Sequence, residues 1–301
     1  MLWFLVTISA YFLLAIVALV DKYLLVGPIP SPKLYSFFIG ILSILALFLI
    51  PLGFLIPEPL EIATSLLAGA VYIFALLGFF SSLQQFEASR VVPAIGGILP
   101  LFTFGLTFFL SGQKEILSLK EILAFILLIF GSVLIVFEKK KRITLKSLQI
   151  SVISAFLFAL AFVLSKFVYL AQPFWSGFIW MRIGTFLTAF SLLFVKDVRE
   201  ELFKKGITFK PKIAGIFLSA QALGVLAFVL QNWAIFLVPF GFLAFINALE
   251  GTRYIFLLIF AVFFSLKFPQ VLKEEISRKV IFQKIIAILF IGGGIILLAL
   301  K

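Results

Sequence analysis

LQISVISAFLFALAFVLSKFVYL, residues Leu148 to Leu170, decides the fold. It contains one charged side chain, Lys166, and shows no alternation of polar with apolar positions. Crossing about 30 Å of hydrocarbon at 1.5 Å per residue takes roughly 20 residues, and this stretch has the length and composition of such a helix. Working outward, nine further stretches read the same way. Before it come Trp3–Val26, Leu34–Phe54, Ile62–Leu83, Val91–Leu110 and Leu119–Phe137; after it come Phe174–Val195, Ile213–Ile235, Phe240–Leu266 and Val280–Leu300. Barrel strands are set aside, because the runs are too long and an unpaired strand edge cannot face lipid. The first stretch has no basic residues before it and exceeds the apolar core of a signal peptide, so it is expected to be retained.

Composition agrees. Of 301 residues, 63% are apolar, 13% are charged and 41 are Phe. A soluble domain carries about a quarter of its residues as charges, so the expected fold class is an all-α integral membrane protein. The chain has no His and no Cys, which removes the usual zinc ligands, thiol nucleophiles, imidazole bases and disulfides. Its two Asp residues, Asp21 and Asp197, are far apart, and no P-loop is present. The sequence therefore points away from an enzyme and implies no cofactor and no metal.

The formal charge of +12 resembles a nucleic-acid signal until its placement is read. Sixteen of the 25 Lys and Arg residues fall in three inter-helix stretches, Lys139–Lys146, Lys196–Lys212 and Lys267–Lys284. With ten spans these lie on one side together with Lys33 and Arg90, 18 in all, against three (Lys114, Lys120, Lys301) on the other. Juxtamembrane charge of this kind sets orientation and attracts anionic headgroups. The count puts the basic side in the cytoplasm and both termini outside. Nucleic acid is not an expected partner; the lipid bilayer and a small-molecule substrate are.

The chain also pairs with itself. An offset of 144 aligns Lys22 with Lys166 and Ile39-Gly40 with Ile183-Gly184. An offset of 146 aligns Gln85 with Gln231, Ala88 with Ala234, Val92 with Val238 and Pro93 with Pro239. Gly131 and Gly292–Gly294 mark the closing helix of each half. Residues 1–142 and 143–301 thus read as two five-helix repeats. An odd number of spans per repeat makes them inverted, an arrangement suited to alternating access.

Several motifs resemble a known family. Pro93 opens the fourth helix, and Ile98-Leu99-Pro100-Leu101-Phe102 is similar to that helix's core in the drug/metabolite transporter superfamily. Ser111-Gly112-Gln113-Lys114-Glu115 resembles the short polar turn that follows, and the Gly131-containing helix the one closing the repeat. In the second half, Trp180-Met181-Arg182-Ile183-Gly184 resembles the arginine-bearing seventh helix. The likeness is to the ten-helix, EamA-type form with two EamA repeats. It implies a carrier in the plasma (inner) membrane whose first, third, fourth, sixth, eighth and ninth helices surround the substrate, with both termini in the cytoplasm, opposite to the charge count. Two departures stand out: Phe38 stands at the position repeat-matched to Arg182, and the ninth helix has no counterpart of Pro100.

Charges inside a span are costly, point inward and tend to mark function. The ninth span carries Asn247-Ala248-Leu249-Glu250-Gly251-Thr252-Arg253. Residues three apart share a helix face, so Asn247, Glu250 and Arg253 form one stripe, with Glu250 and Arg253 in pairing reach. Two readings are open: a structural pair, with Arg182 sharing Glu250, or a cavity wall that binds a zwitterionic or anionic solute, or on which Glu250 carries a coupling proton. Arg182 is the second candidate, as a snorkelling cation beside Trp175 and Trp180 or as a carboxylate or phosphate ligand. Lys22 and Lys166 read as snorkelling residues, with a pair of gate or ligand contacts toward opposite faces as the alternative. Gln84, Gln85, Gln221, Gln231 and Asn232 read as helix-to-helix links, with Gln85, Gln221 and Gln231 also candidates for substrate contact. Pro100 is expected to kink the fourth helix, and the glycines near 96 and 292–294 to permit close packing. The expected function is secondary active export of a small polar metabolite, such as an amino acid. A multidrug or lipophilic-solute exporter is the alternative, followed by a membrane-embedded lipid-handling enzyme and then a channel.

Overall fold

The computed structural model describes residues 2–29, 31–86, 88–110, 118–136, 145–203, 211–267 and 278–299. Among them there are helices and no strand. In chain order these are α1 (Leu2–Val26), α2 (Pro32–Leu42) with its 3₁₀ continuation η1 (Ser43–Leu52), α3 (Pro59–Gln85), α4 (Ala88–Leu110) and α5 (Leu119–Val136). The chain continues through α6 (Leu145–Ala171), α7 (Phe174–Ser191) with η2 (Leu192–Phe194), α8 (Lys196–Phe203) and α9 (Pro211–Leu237). It ends with η3 (Phe240–Phe242), α10 (Leu243–Ala248), α11 (Gly251–Lys267) and α12 (Arg278–Ala299).

Among the described residues, six helical segments of 21–27 residues are long and apolar enough to cross a membrane: α1, α2–η1, α3, α6, α7–η2 and α9. The protein is an all-α, membrane-embedded one. The starts follow local chemistry. Ser31 caps α2, accepting from the Leu34 amide, and Pro32 occupies the first turn, where no amide bond is lost. Pro59 and Pro211 open α3 and α9 by the same logic. Pro51 ends the 3₁₀ segment η1, and Gly53 turns out of it at φ 130°, a conformation that glycine adopts freely.

Two lysines tie the bundle at equivalent places. The Lys22 ammonium donates to the carbonyls of Leu83 (2.7 Å), Gln84 (3.3 Å) and Phe86 (2.6 Å), closing the C-terminal end of α3. Lys166 donates to the carbonyls of Ile235 and Phe236, both at 3.1 Å, closing the end of α9. Neither side chain snorkels as expected. Each satisfies carbonyls that a helix terminus leaves orphaned, and a cation suits the negative end of the helix dipole.

Close helix contacts depend on missing side chains. A β-carbon on Gly69 of α3 would stand 2.0 Å from the Met181 carbonyl oxygen, and one on Gly184 of α7 would stand 2.4 Å from that of Leu66. The two backbones thus touch, and Thr185 Oγ1 donates across to the Gly69 carbonyl at 3.2 Å. Gly131 packs on Ala287 and Ile291, while Gly294 packs on Ala124 and Leu128, so α5 and α12 run antiparallel. Gly292 faces open space, so the close-packing expectation holds for Gly294 and not for the whole triplet.

The interruption in the bundle carries no proline. α4 continues as helix through Pro100 to Leu110, whereas the helix over Leu243–Ala248 stops there and restarts as α11 at Gly251. At the break the Glu250 amide donates to Asn247 (3.1 Å), and the Arg253 amide to Glu250 (2.9 Å), three residues back instead of four. The Ile246 carbonyl, which a continuous helix would bond to Glu250, instead accepts the Tyr11 hydroxyl from α1 at 3.0 Å. A buried carbonyl must find a donor, and Tyr11 supplies it. Arg90's side chain, the loop bearing Glu87, the polar turn at 111–115 and the 142/143 repeat boundary lie outside the described residues.

Candidate functional site

The long helices leave a central cavity of about 550 Å³. It is walled by α1, α2–η1, α3, α4, α6, α7 and α9, and by the interrupted ninth span at Glu250 and Arg253. The second and seventh spans line it as well as the six helices that the family resemblance implied. Most of the wall is aliphatic or aromatic; its polar groups are Asp21, Ser43, Tyr72, Arg182, Gln221, Gln231, Glu250 and Arg253.

Glu250 and Arg253 are brought together. Arg253 donates to Glu250 Oε1 at 2.9 Å, with both side chains buried. The broken helix puts the pair at the cavity wall, and Gly96 of α4 makes room, since a β-carbon there would lie 2.8 Å from the Glu250 carboxylate carbon. Asn247 is fully buried and donates to Thr103 Oγ1 of α4 at 2.7 Å. That bond joins residues 144 apart, the same spacing that separates Lys22 from Lys166. Asn247 does not line the cavity; it fastens α10 to α4. Both readings of the Glu250–Arg253 pair hold geometrically, because the two side chains neutralise each other and also border the cavity.

Arg182 is placed differently. Its guanidinium carbon lies 4.1 Å from the ring centre of Phe228, 5.1 Å from Tyr72 and 5.9 Å from Phe178. The three rings hold it inside the cavity, and its Nε is buried with no hydrogen-bond partner. It does not share Glu250, and it does not snorkel: Trp180 donates to the Leu55 carbonyl at 3.0 Å and stacks on Phe54 instead. Ser43, at the junction of α2 and η1, bonds the carbonyls of both Gly40 and Arg182, so the second span positions the arginine's backbone. Ring faces attract a cation, yet they cannot satisfy its N–H groups, which an anion could.

Gln221 and Gln231 line the cavity; the Gln221 amide nitrogen is buried without a partner. Gln85 is not part of the site. It is exposed at the end of α3 and bonds the Ser81 carbonyl of its own helix. Asn232 links helices as expected, accepting from Tyr169 at 2.9 Å. Asp21, read in the sequence only as one of two well-separated Asp residues, stands next to Lys22 in the chain. The two diverge: Lys22 reaches the end of α3, and Asp21 is buried at the cavity wall, accepting from Tyr35 at 2.5 Å. The available signal was an Asp still inside an apolar span.

Two tyrosines link pairs of helices. Tyr35 of α2 bonds Asp21 of α1 and packs edge-on against Phe80 and Phe217. Tyr169 of α6 bonds Asn232 of α9 and stacks on Phe174, which also meets Trp233 and Phe236. Outside the bundle, Lys33 at the start of α2 pairs with Asp197 of α8 on the surface. That lysine holds the Asp197 carboxyl below the usual carboxylate range.

Comparisons with known proteins define the class by fold alone. No family model matches the chain, and no curated protein matches it. Solved structures do: one crystal structure is similar over 98% of this chain and 95% of its own, with a TM-score of 0.68 at 16% identity. The arrangement is therefore one already seen in experimental structures.

Proposed function

We propose that the protein is a secondary transporter that moves a small solute bearing an anionic group, by alternating access. The observation that carries this reading is the contrast in charge within one cavity. Glu250 and Arg253 cancel, while Arg182 stands half-buried on ring faces with no counter-charge and its Nε unpartnered. A cation without a counter-charge inside an apolar bundle is expensive, and a binding site is the common reason to keep one. A zwitterionic metabolite such as an amino acid fits the same cavity, with its carboxylate on Arg182 and its ammonium toward Asp21 or Glu250. Glu250 and Asp21 are the candidates for a coupling proton, and export is the proposed direction.

The proposal includes ten spans in two inverted five-helix repeats of the EamA type. It is supported by the matched tasks of Lys22 and Lys166, by the bond between Asn247 and Thr103, and by the antiparallel pairing of the closing helices α5 and α12. The charge count favours a cytoplasmic basic side in the plasma membrane. A cysteine placed near Lys141 in this Cys-free chain tests that orientation: labelling from outside would reverse it.

Flux into proteoliposomes tests the function. Saturable uptake that is accelerated by solute on the far side is expected, and Arg182→Gln is expected to abolish it. Unsaturable conductance would replace the carrier with a channel.

A further inference from the structure

The cavity is not sealed sideways. Leu45 of η1 and Leu218 and Val225 of α9 all line it, and they are 53%, 55% and 60% exposed. Cavity-lining residues that stay more than half exposed mark a mouth, where the cavity opens. Its rim is apolar, and its depth can be gauged from both sides. Val225 lies about 20 Å along α9 from Pro211 at 1.5 Å per residue, and Leu45 about 20 Å along the second span from Pro32. At that distance from the helix ends the mouth faces the hydrocarbon layer rather than water. The two elements do touch nearer their starts, where Phe217 meets Tyr35 and Phe38, so the gap opens beyond that contact. On the other side of the bundle α3 and α7 touch backbone to backbone at Gly69 and Gly184, leaving no such gap.

Of the charged groups on the cavity wall, Asp21 is bonded by Tyr35 and Glu250 is paired with Arg253, which leaves Arg182 as the cation without a counter-charge among the described residues. Arg182 lies within the cavity on rings from α3, α7 and α9, and Phe228, the closest of these, is three residues beyond Val225 on the same helix. The path from lipid thus runs from an apolar rim to one unsatisfied cation. We propose that the solute is a single-chain amphiphile, which passes sideways from the bilayer between η1 and α9, sets its anionic head on Arg182 and leaves its hydrocarbon tail in the mouth. This rests on the carrier reading above and narrows its substrate class: a free polar metabolite has no use for an apolar doorway in the membrane.

The test uses the whole protein in lipid nanodiscs, with empty nanodiscs as background and radiolabelled decanoate and acetate as probes. Decanoate is expected to bind saturably and about 100-fold more tightly than acetate, because several methylenes are buried along with the head. Arg182→Gln should remove that binding. Val225→Trp and, independently, Leu45→Trp should slow decanoate association at least 10-fold and slow acetate association far less. Both positions are exposed, so neither variant disturbs the packed bundle. Equal affinity for the two probes, both lost with Arg182→Gln, would overturn the amphiphile and leave the anion carrier standing. Unchanged decanoate association in both tryptophan variants would overturn the sideways route. Decanoate binding that survives Arg182→Gln would overturn this proposal and the carrier reading together.

Discussion

The two charged walls of the cavity obey opposite rules. On the wall made by α4, α10 and α11 the charges are answered from within: Arg253 meets Glu250, Asn247 meets Thr103, and Tyr11 meets the carbonyl that the break releases, although Asn247 Oδ1, Arg253 Nε and the Tyr254 hydroxyl stay unpartnered. On the wall made by α7, α9 and η1, Arg182 has only ring faces, Gln221 has an unpartnered nitrogen, and the helices part. The first is what a structural feature looks like when buried charge is tolerated. The second leaves its bonding capacity to something the chain does not contain. Burial alone does not separate them, since both arginines lie in one cavity and each has a buried Nε without a hydrogen-bond partner; the counter-charge does, because Arg253 has Glu250 and Arg182 has ring faces.

The largest expected effect breaks the answered wall. Glu250→Gln leaves Arg253 buried without a counter-charge, a change that costs about 3–5 kcal/mol. Thermal unfolding in detergent should show a large loss, and adding Arg253→Gln to the same chain should recover part of it. If the single variant is as stable as wild type, the pair contributes nothing structural.

Next in size is the sealed crossing of α3 and α7. Gly69→Leu drives a side chain into the Met181 backbone and should cost about 3 kcal/mol or more, because overpacking of this kind cannot relax into a flexible neighbour. Gly215→Leu on α9, where nothing stands within 4 Å of a β-carbon, should be neutral or slightly stabilising through helix propensity. Equal losses at the two glycines, by retention on size exclusion after heating, would mean that the crossings are not different.

A smaller effect compares the two lysine caps. Lys22→Met strips three carbonyls and Lys166→Met strips two. Each hydrogen bond to a charged group contributes about 1.5–3 kcal/mol, less where water can replace it. Lys22→Met should lower the unfolding midpoint more than Lys166→Met; the reverse order would indicate that the caps do not act alike.

The smallest effect is at the rim. Because Lys33 holds the Asp197 carboxyl below its ordinary range, the folded state binds that proton less readily than the unfolded chain does. The pair's contribution is therefore present above the ordinary carboxylate range and lost as pH falls through it. Both groups are solvent-exposed, so Lys33→Ala should change the acid limb of a pH–stability curve only slightly.

Much of the fold was legible because a lipid-spanning helix has one dominant signal, apolar length. Phe174 opens α7 and Leu110 closes α4 at the expected residues, and the other helix ends of the described spans fall within three residues of expectation. What periodicity could not show was the interruption at Leu249–Glu250. No proline marks it, and the break depends on Tyr11, 235 residues away in sequence, taking the released carbonyl. Short α8 was hidden inside a basic stretch that reads as loop charge. The site was half legible. Glu250 and Arg253 declared themselves by their spacing, and Arg182 by its charge in an apolar run. Whether each was paired depends on contacts between distant helices, which spacing does not encode. Asp21 was masked by its neighbour: an Asp-Lys step near a helix end looks interfacial, and only packing sends one side chain to the cavity and the other to α3.

The most direct measurement needs no ligand: the unfolding midpoint of Arg182→Gln beside that of Glu250→Gln, in the same detergent. Losing ring contacts, worth about 0.5–2 kcal/mol, is offset by no longer burying an unpaired charge. The account predicts that Arg182→Gln unfolds within a few degrees of wild type while Glu250→Gln falls far below it. An Arg182→Gln midpoint as depressed as that of Glu250→Gln would contradict it, because the arginine would then be holding the fold rather than waiting for a solute.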